Sequence, residues 1–246
     1  MTGKIRVGVG GWTFEPWRGT FYPAGLVHKR ELEFASRALG SIEINGTYYA
    51  TFKPERWRKW RDETPDGFVF AVKASRYCTN RTILAGAAES VARFMAQGLT
   101  GLGAKLGPIN WQFMAGKKFE PDDFAAFLAL LPKEQDGLAL RHAVEVRHVS
   151  FATPAFYDLA AKHGVAIVYA RDENFPEIDQ PTADFTYARL MATREDLKTG
   201  ATDAELAGFV RQTRAWAKRG AVFAYFISGA KLRNPAAAQA LIEKLG

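Results

Sequence analysis

A carboxylate, a guanidinium and an imidazole lie within four residues, from Glu145 to His148, at the end of an otherwise apolar stretch. Neighbouring side chains of a β-strand point to opposite faces, so Glu145 and Arg147 share one face with Ala143. Two charges on the inner face of a buried strand are costly to desolvate unless they are paired or used. This stretch therefore predicts one edge of a functional site.

Polar or charged residues also end most of the other predicted strands, whereas the opposite strand ends carry far fewer. They are Glu43, Asn45, Lys73, Arg76, Gln112, Asp172, Arg189, Tyr225 and Ser228. A Glu–Arg pair between two strands can simply fill a barrel, but an accumulation at one end is harder to explain by packing. The asymmetry predicts an active site at the carboxyl ends of the strands.

Three chemistries fit these residues. In the first, cationic side chains clamp an anion, because guanidinium groups match phosphate oxygens. Glu145 or His148 is then the general base or acid, and Glu43 is a further catalytic candidate. The residues of this clamp are Lys73, Arg76, Arg147 and Arg189.

In the second chemistry, Glu43, Glu145, Asp172 and His148 bind a divalent metal that activates water. The sequence allows such a metal but does not require it, and with only four histidines a histidine-rich site for several metals is not expected. In the third chemistry, Glu43 and Glu145 are the carboxylate pair of a glycosidase. Cationic neighbours would lower the pKa of both groups, which suits a nucleophile better than an acid.

The elements that position these residues alternate between apolar strands and amphipathic helices. Strands are predicted at 5–11, 41–45, 68–73, 103–113, 141–148, 165–170, 185–190 and 221–227. Helices are predicted at 29–39, 54–63, 87–97, 121–131, 153–163, with Thr153 as the capping residue, at 202–219 and from 234 onward. Eight such units predict an α/β chain with one domain, residues 1–246, folded as a TIM-type (β/α)₈ barrel. Residues 173–184 lack a convincing helix, so the barrel is expected to be irregular between its sixth and seventh strands.

The chain is moderately basic, with 33 Lys and Arg against 26 Asp and Glu, a net charge of +7 and a pI near 9.5. This balance favours an anionic partner, either a phosphate-bearing small molecule or nucleic acid. No apolar run is long enough for a membrane span, and the first predicted strand begins too early to leave room for a signal peptide. Because Cys78 is the single cysteine, an internal disulfide and a cysteine metal cluster are excluded. We expect a soluble, cytoplasmic protein.

Aromatic residues are concentrated in the loop that follows the first predicted strand. They are Trp12, Phe14, Trp17, Phe21 and Tyr22. Loops are mostly polar, so this loop is either a cap that closes one end of the barrel or a wall of the ligand site. We expect Trp12, together with Tyr48, to form part of such a wall.

Several motifs occur in order along the whole chain. They are Ile5-Arg-Val-Gly8 with Gly11-Trp12, Phe21-Tyr22-Pro23, Glu43-Ile-Asn45, Thr47-Tyr48-Tyr49, Phe70-Ala-Val-Lys73, Leu106-Gly-Pro108 with Gln112, Glu145-Val-Arg147-His148 with Ser150, and Tyr187-Ala-Arg189-Leu190. Together they resemble the domain-of-unknown-function 72 family, also called YecE-like. The resemblance implies a TIM-type barrel, in agreement with the strand count, and no established activity. Likeness of the family to metal-dependent sugar isomerases and endonuclease-type barrels is analogy of fold.

Three positions depart from the family pattern. Phe226-Ile227-Ser228 stands where the family tends to have Phe-Asn-Asn, and Met191-Ala192 where it usually has His-Gly. Phe151 replaces a common tryptophan. The first two departures remove polar groups from the predicted mouth, so an activity of better-matching members is expected to be altered or absent here.

The main hypothesis is a hydrolase-like enzyme for a phosphate-bearing or other anionic substrate at the mouth of the barrel. Glu145 would be its base or a metal ligand, and Glu43 would orient the substrate or the metal. The residues expected to contact the substrate are Trp12, Asn45, Tyr48, Lys73, Arg76, Gln112, Arg147 and Arg189. The alternatives are a non-catalytic nucleic-acid-binding protein that stacks bases on the aromatic loop and a glycan-processing enzyme.

Overall fold

The structure, a computed structural model, describes residues 2–246 and contains eleven strands. They are β1 (Ile5–Gly10), β2 (Ser41–Ile44), β3 (Val69–Lys73), β4 (Leu106–Gln112), β5 (Glu134–Gln135), β6 (Leu138–Ala139), β7 (His142–Glu145), β8 (Ala166–Ile167), β9 (Tyr169–Arg171), β10 (Phe185–Leu190) and β11 (Ala221–Phe226). All eight predicted strands are present, the sixth as the pair β8 and β9. Their apolar, β-branched composition suits strands that are covered on both faces.

Nine strands form one parallel sheet in the order β8-β7-β4-β3-β2-β1-β11-β10-β9. The two strands at its ends, β8 and β9, are separated only by Val168 and are successive halves of one segment of chain. β8 pairs with β7, and β9 pairs with β10. The segment therefore brings the two ends of the sheet together, which confirms the predicted TIM-type barrel.

Helices cover the outside of the barrel. They are α1 (Glu31–Ala38), α2 (Pro54–Asp62), α3 (Arg76–Thr79), α4 (Ala88–Met95), α5 (Pro121–Ala129), α6 (Pro154–His163), α7 (Asp203–Ala217) and α8 (Asn234–Leu245). Short 3₁₀ helices lie at Glu15–Trp17, His28–Arg30, Gly46–Tyr48, Ala85–Ala87, Leu99–Lys105, Val149–Phe151 and Lys231–Arg233. As predicted, residues 173–184 contain no helix. Over residues 2–246, no helix combines the length and apolar character needed to cross a membrane.

Alternation along β2 shows how the strands place polar groups inside the barrel. Ile42 and Ile44 belong to the core between the sheet and the helices, as the alternation predicted. Glu43, between them, points inward and is completely buried. Small and aromatic side chains such as Ala71 and Phe223 fill the interior below it. This packing leaves the charged side chains near the carboxyl ends of the strands.

Two local predictions were wrong, and one element was missed. Residues 103–105 belong to the 3₁₀ helix Leu99–Lys105, where Gly103 has a φ of 56°, so β4 begins only at Leu106. Thr153 precedes α6 but makes no capping hydrogen bond through its side chain. The antiparallel hairpin of β5 and β6 was not predicted, although Asp136 and Gly137, both at positive φ, provide its turn.

The amino-terminal end of the barrel is less apolar than the sequence indicated. The guanidinium carbons of Arg6 and Arg141 lie 5.4 and 5.1 Å from the ring centroid of Phe223. Tyr225, expected at the mouth, directs its hydroxyl to Ser41 Oγ at 2.8 Å in the buried interior. Charged groups thus lie at both ends, and the predicted asymmetry between the ends is smaller than expected.

Candidate functional site

Arg189 links two buried carboxylates at the carboxyl ends of the strands. Its Nη2 donates to Glu43 Oε1 at 3.1 Å, and its Nη1 donates to Glu145 Oε2 at 2.6 Å. The three residues come from β10, β2 and β7, no two of which are neighbours in the sheet. The interaction therefore crosses the barrel interior, where ion pairs persist only with close geometry and additional hydrogen bonds.

Arg147 and Gln112 provide part of this additional bonding. Arg147 donates to Glu145 Oε1 through Nε at 2.9 Å and through Nη2 at 2.6 Å. Gln112 Oε1 accepts from Arg147 Nη2 at 3.0 Å and from Arg189 Nη1 at 3.2 Å. Two of the three arginines predicted to clamp an anion, Arg147 and Arg189, are therefore already bonded to protein carboxylates.

The second carboxylate oxygen of Glu43 also accepts hydrogen bonds, and Glu145 accepts one more. The Tyr187 hydroxyl donates to Glu43 Oε2. Asn110 Nδ2 donates to Glu145 Oε2 at 3.2 Å and to Glu43 Oε2 at 3.5 Å. We refer to these seven residues as the carboxylate cluster: Glu43, Asn110, Gln112, Glu145, Arg147, Tyr187 and Arg189.

Charges in the carboxylate cluster stabilise one another. Burial alone would raise the pKa of Glu145, but Arg189, Arg147 and Lys73 outweigh burial and lower that pKa to about 2. Burial would lower the pKa of Arg189, but Glu145 and Glu43 raise it. The two carboxylates and two guanidinium groups therefore balance in formal charge.

Lys73 lies beside the carboxylate cluster but has no bonding partner among the residues that the structure describes. It is the last residue of β3 and is 9% exposed. Its Nζ lies 4.3 Å from the ring centroid of Tyr48 and forms no hydrogen bond or ion pair with any residue that the structure describes. Burial, and then repulsion from Arg189, lower its pKa to about 8 against the attraction of Glu43 and Glu145. Part of the Lys73 population is therefore uncharged near neutral pH.

A cavity of about 760 Å³ opens in front of Lys73 and Arg189; we call it the mouth cavity. Its aromatic wall consists of Trp12, Phe14, Tyr49, Phe52 and Trp60. Its basic residues, besides Lys73 and Arg189, are Lys29, Arg56, Lys59 and Lys231. Among the described residues, Glu63 is the one acid that lines it. The volume is within the usual range for small-molecule sites, and the charge suits an anionic ligand.

The aromatic loop has both of the roles considered for it. Trp12 lines the mouth cavity and packs edge-on against Trp60, with ring centroids 5.2 Å apart. Trp17 and Tyr22 are buried in the core instead. Of the predicted substrate contacts, the mouth cavity therefore includes Trp12 and Asn45 as well as Lys73 and Arg189.

Other predicted site residues lie outside the mouth cavity. His148 caps the turn Val149–Phe151, since its Nδ1 accepts from the Ser150 backbone N–H at 3.1 Å. It makes no hydrogen bond to the carboxylate cluster in residues 2–246. Arg76 is exposed, with its guanidinium carbon 5.8 Å from the centroid of the Tyr49 ring. Tyr48 contributes its ring face to Lys73.

The donor groups at the mouth do not fit the divalent metal considered above, and Glu145 does not fit the acid's role in a glycosidase pair. Within residues 2–246, no three His, Cys, Asp or Glu side chains are grouped to hold a metal ion. Asp172 accepts instead from the backbone N–H of Asn174 at 2.9 Å. A pKa of about 2 also leaves Glu145 unable to supply the protonated acid that a glycosidase needs.

Two of the departures from the family pattern belong to an apolar patch beside the carboxylate cluster. Met191 and Ile227 are buried together with Ala170, and Phe175 packs on them. Phe175 belongs to the connection without a helix, and its ring centroid lies 4.4 Å from the guanidinium carbon of Arg147. This connection therefore covers one side of the mouth.

Several residues of the mouth cavity were missed in the sequence. Arg56, Lys59, Trp60 and Glu63 recur at helical spacing along and just beyond α2, and that spacing was a usable signal. Lys231, whose Nζ lies 4.2 Å from the Phe14 ring centroid, had no such signal. Its approach depends on how the loop after β11 folds back over the loop after β1.

Comparison with known proteins agrees with this architecture. The profile of the family described as "Protein of unknown function DUF72" matches residues 6–246. The UPF0759 protein YecE of Escherichia coli, strains K12 and O157:H7, is 29% identical over 150 residues, which are 60% of this chain and 50% of the relative. The chain thus spans about half the length of the curated relatives it matches.

Two solved structures share the fold. A DUF72 family protein of Thermotoga maritima has a TM-score of 0.79 at 23% identity, over 98% of both chains. A DUF72 family protein of Enterococcus faecalis has a TM-score of 0.72 at 17% identity, over 99% of both chains. With the profile match over nearly all of its length, this chain belongs to the DUF72 family of proteins of unknown function.

Proposed function

We propose that the chain is an enzyme that acts on a phosphate-bearing or other anionic substrate bound in the mouth cavity. The observation that carries this proposal is Lys73, a nearly buried amine that has no ion-pair partner among residues 2–246, beside a cluster whose own charges balance. Keeping such a group unpaired is unfavourable for folding. Groups of this kind, with shifted pKa values in a cleft, are typical of functional sites.

The basic wall of the mouth cavity supports an anionic substrate. Lys29, Arg56 and Lys231 have no carboxylate within ion-pair distance in the described part of the chain, whereas Lys59 pairs with Glu63 at 3.6 Å. Three cations that are not neutralised by the protein attract anions and raise their local concentration. They would hold the anionic group while the rest of the substrate reaches Lys73.

Lys73 also fits the acid–base role that hydrolysis would need. An efficient general base has a pKa near the working pH, and that of Lys73 is lowered to about 8. Glu145, with a pKa of about 2 and every oxygen hydrogen-bonded, is a weak base. Lys73 therefore replaces Glu145 and His148 as the proposed group for proton transfer.

Thermal unfolding with phosphorylated and unphosphorylated forms of the same sugars tests the proposal. A ligand at about 100 times its dissociation constant stabilises a protein by about 2.7 kcal/mol, which raises Tm by roughly 5–10 °C in a chain of this size. We expect this increase with phosphorylated forms only. Arg56→Met or Lys231→Met should reduce it, whereas Lys244→Met, which removes a surface pair with Asp203, should not. Equal responses to both forms of each sugar would contradict the proposal.

Nucleic-acid binding is a second candidate because aromatic rings are exposed next to the mouth cavity. Tyr49 and Tyr77 are 67% and 63% exposed, and the guanidinium carbon of Arg76 lies within 6 Å of both ring centroids. Aromatic rings with an adjacent Arg are a common platform for unpaired bases.

Fluorescence anisotropy with a single-stranded oligonucleotide tests this second candidate. Affinity should fall steeply with salt concentration, and Tyr77→Ser should weaken it by about 1–3 kcal/mol through lost stacking. Ile83→Ser, at an equally exposed apolar residue, is the matched control and should have no effect. An affinity that does not change with salt would argue against nucleic acid.

A further inference from the structure

The four lysine amines around the mouth cavity differ in burial and in ion pairing, and these two properties affect how readily an amine reacts. Lys29, Lys59 and Lys231 are exposed, and Lys59 is also paired with Glu63. Lys73 is nearly buried, unpaired within residues 2–246, and still borders the cavity. Burial also lowers the pKa of Lys231, but of these four amines Lys73 is the one best shielded from solvent.

Charged groups approach Lys73 from three other strands and act in opposite directions. Burial is the largest influence and lowers its pKa, and Arg189 and Arg147 lower it further. Glu43 and Glu145 raise it, and the ring of Tyr48 also favours the cation. The resulting value of about 8 leaves an appreciable fraction of neutral amine at physiological pH.

We propose that Lys73 uses its lone pair as a nucleophile, in place of proton transfer, and forms an imine with a carbonyl group of the substrate. This inference rests on the anionic substrate of the proposed function. A desolvated lysine amine is suited to this reaction. The other polar groups facing the site, in the carboxylate cluster, are committed to one another. The iminium carries the same charge as the ammonium, so Glu43 and Glu145 stabilise both.

The step is balanced without an oxidant or a reductant. The Nζ lone pair forms a bond to the carbonyl carbon while the carbonyl π electrons move to oxygen. One N–H proton passes to that oxygen and gives a carbinolamine. Loss of the hydroxyl together with the second N–H proton releases one water and leaves the C=N bond of the imine. The anionic part of the substrate remains beside Lys29, Arg56 and Lys231.

Reductive trapping with pyridoxal 5′-phosphate, which has both an aldehyde and a phosphate, tests the inference on the whole chain. After reduction with borohydride, proteolysis and mass spectrometry measure the adduct on each lysine. We expect Lys73 to be modified at least about tenfold more than the exposed Lys29 or Lys59, because each unit by which the pKa of Lys73 is lowered raises its own fraction of free amine about tenfold. Lys73→Arg, which keeps a cation but cannot form an imine, should lose the adduct without losing the fold.

Two related compounds separate this inference from the proposed function. Pyridoxine 5′-phosphate has the phosphate without the aldehyde, and pyridoxal has the aldehyde without the phosphate. If pyridoxine 5′-phosphate raises Tm but pyridoxal 5′-phosphate modifies Lys73 no more than the exposed lysines, the imine is overturned and the proposed function stands. If pyridoxal modifies Lys73 selectively but neither phosphate compound raises Tm, the imine is supported and the anionic substrate is contradicted.

Discussion

Glu145 remains ionised inside the barrel because Arg189 and Arg147 lie against its carboxylate, and Arg189 also lies against the buried carboxylate of Glu43. Tyr187 and Asn110 add hydrogen bonds to the same oxygens. Removing one partner of such a network costs more free energy than the intact network contributes to stability. The cost is high because a buried charge is then left without its partner. The arginines that resemble substrate contacts in the sequence therefore stabilise the mouth.

Removing Arg189 tests this role. Arg189→Ala leaves two buried carboxylates and should lower the free energy of unfolding by about 3–5 kcal/mol, measured by urea denaturation. Arg171→Ala removes an ion pair with Glu177 whose partners are 52% and 42% exposed, and should lower it by less than about 1 kcal/mol. Similar losses in the two variants would contradict the stabilising role of Arg189.

The low pKa of Glu145 makes stability depend on acidity. Its pKa of about 2 in the folded chain lies below the value of about 4.3 expected in the unfolded chain. Ionisation therefore stabilises the fold fully above about pH 4.3, and this contribution is lost as the pH falls toward 2. The free energy of unfolding of Glu145→Gln should change less with pH across this range. Parallel curves for the two proteins would show that Glu145 is not the group responsible.

At the scale of elements, helix α7 is fixed at its start by a capping box. Thr202 Oγ1 accepts from the Glu205 backbone N–H at 3.3 Å, while the Glu205 carboxylate accepts from the Thr202 backbone N–H at 2.7 Å. This helix supports β10 and β11, which hold Arg189 and the loop before Lys231.

Replacing the capping residue tests its contribution to α7. Thr202→Ala should lower the free energy of unfolding by about 1 kcal/mol, as measured by chemical denaturation. Thr153→Ala is the matched control, because Thr153 stands in the same place before α6 but makes no capping hydrogen bond. A larger loss at Thr153 than at Thr202 would contradict this description of the helix ends.

The elements were predictable from the sequence because their signals are local. Apolar strands ending in glycine or polar residues, and helices opened by Pro54, Pro121 and Pro154, have the predicted bounds to within a few residues. The partners of Arg189 were not predictable, because they depend on which strands face each other across the closed barrel. The interruption of the sixth strand at Val168 likewise results from pairing with two different neighbours.

The whole molecule has a net charge of +7. Three of its cations, Lys29, Arg56 and Lys231, lie at the mouth cavity without an ion-pair partner in the described part of the chain. Attraction of this kind reaches beyond contact distance and is screened over about 8 Å at physiological salt. An anionic substrate would therefore be attracted toward the one end of the barrel where Lys73 borders an open cavity. The fold provides the rigid frame, and the loops after β1 and β11 together with helix α2 provide the charge.

The pKa of Lys73 is the property on which this account depends most directly. It is measured by NMR titration of the lysine side chains, with the Lys73 signal assigned by its absence in Lys73→Arg. We predict a midpoint near 8 for Lys73, well below the value of about 10.4 that is usual for a lysine in water. A Lys73 signal that titrates together with the exposed lysines would contradict the account, because the amine at the mouth would then be an ordinary surface cation.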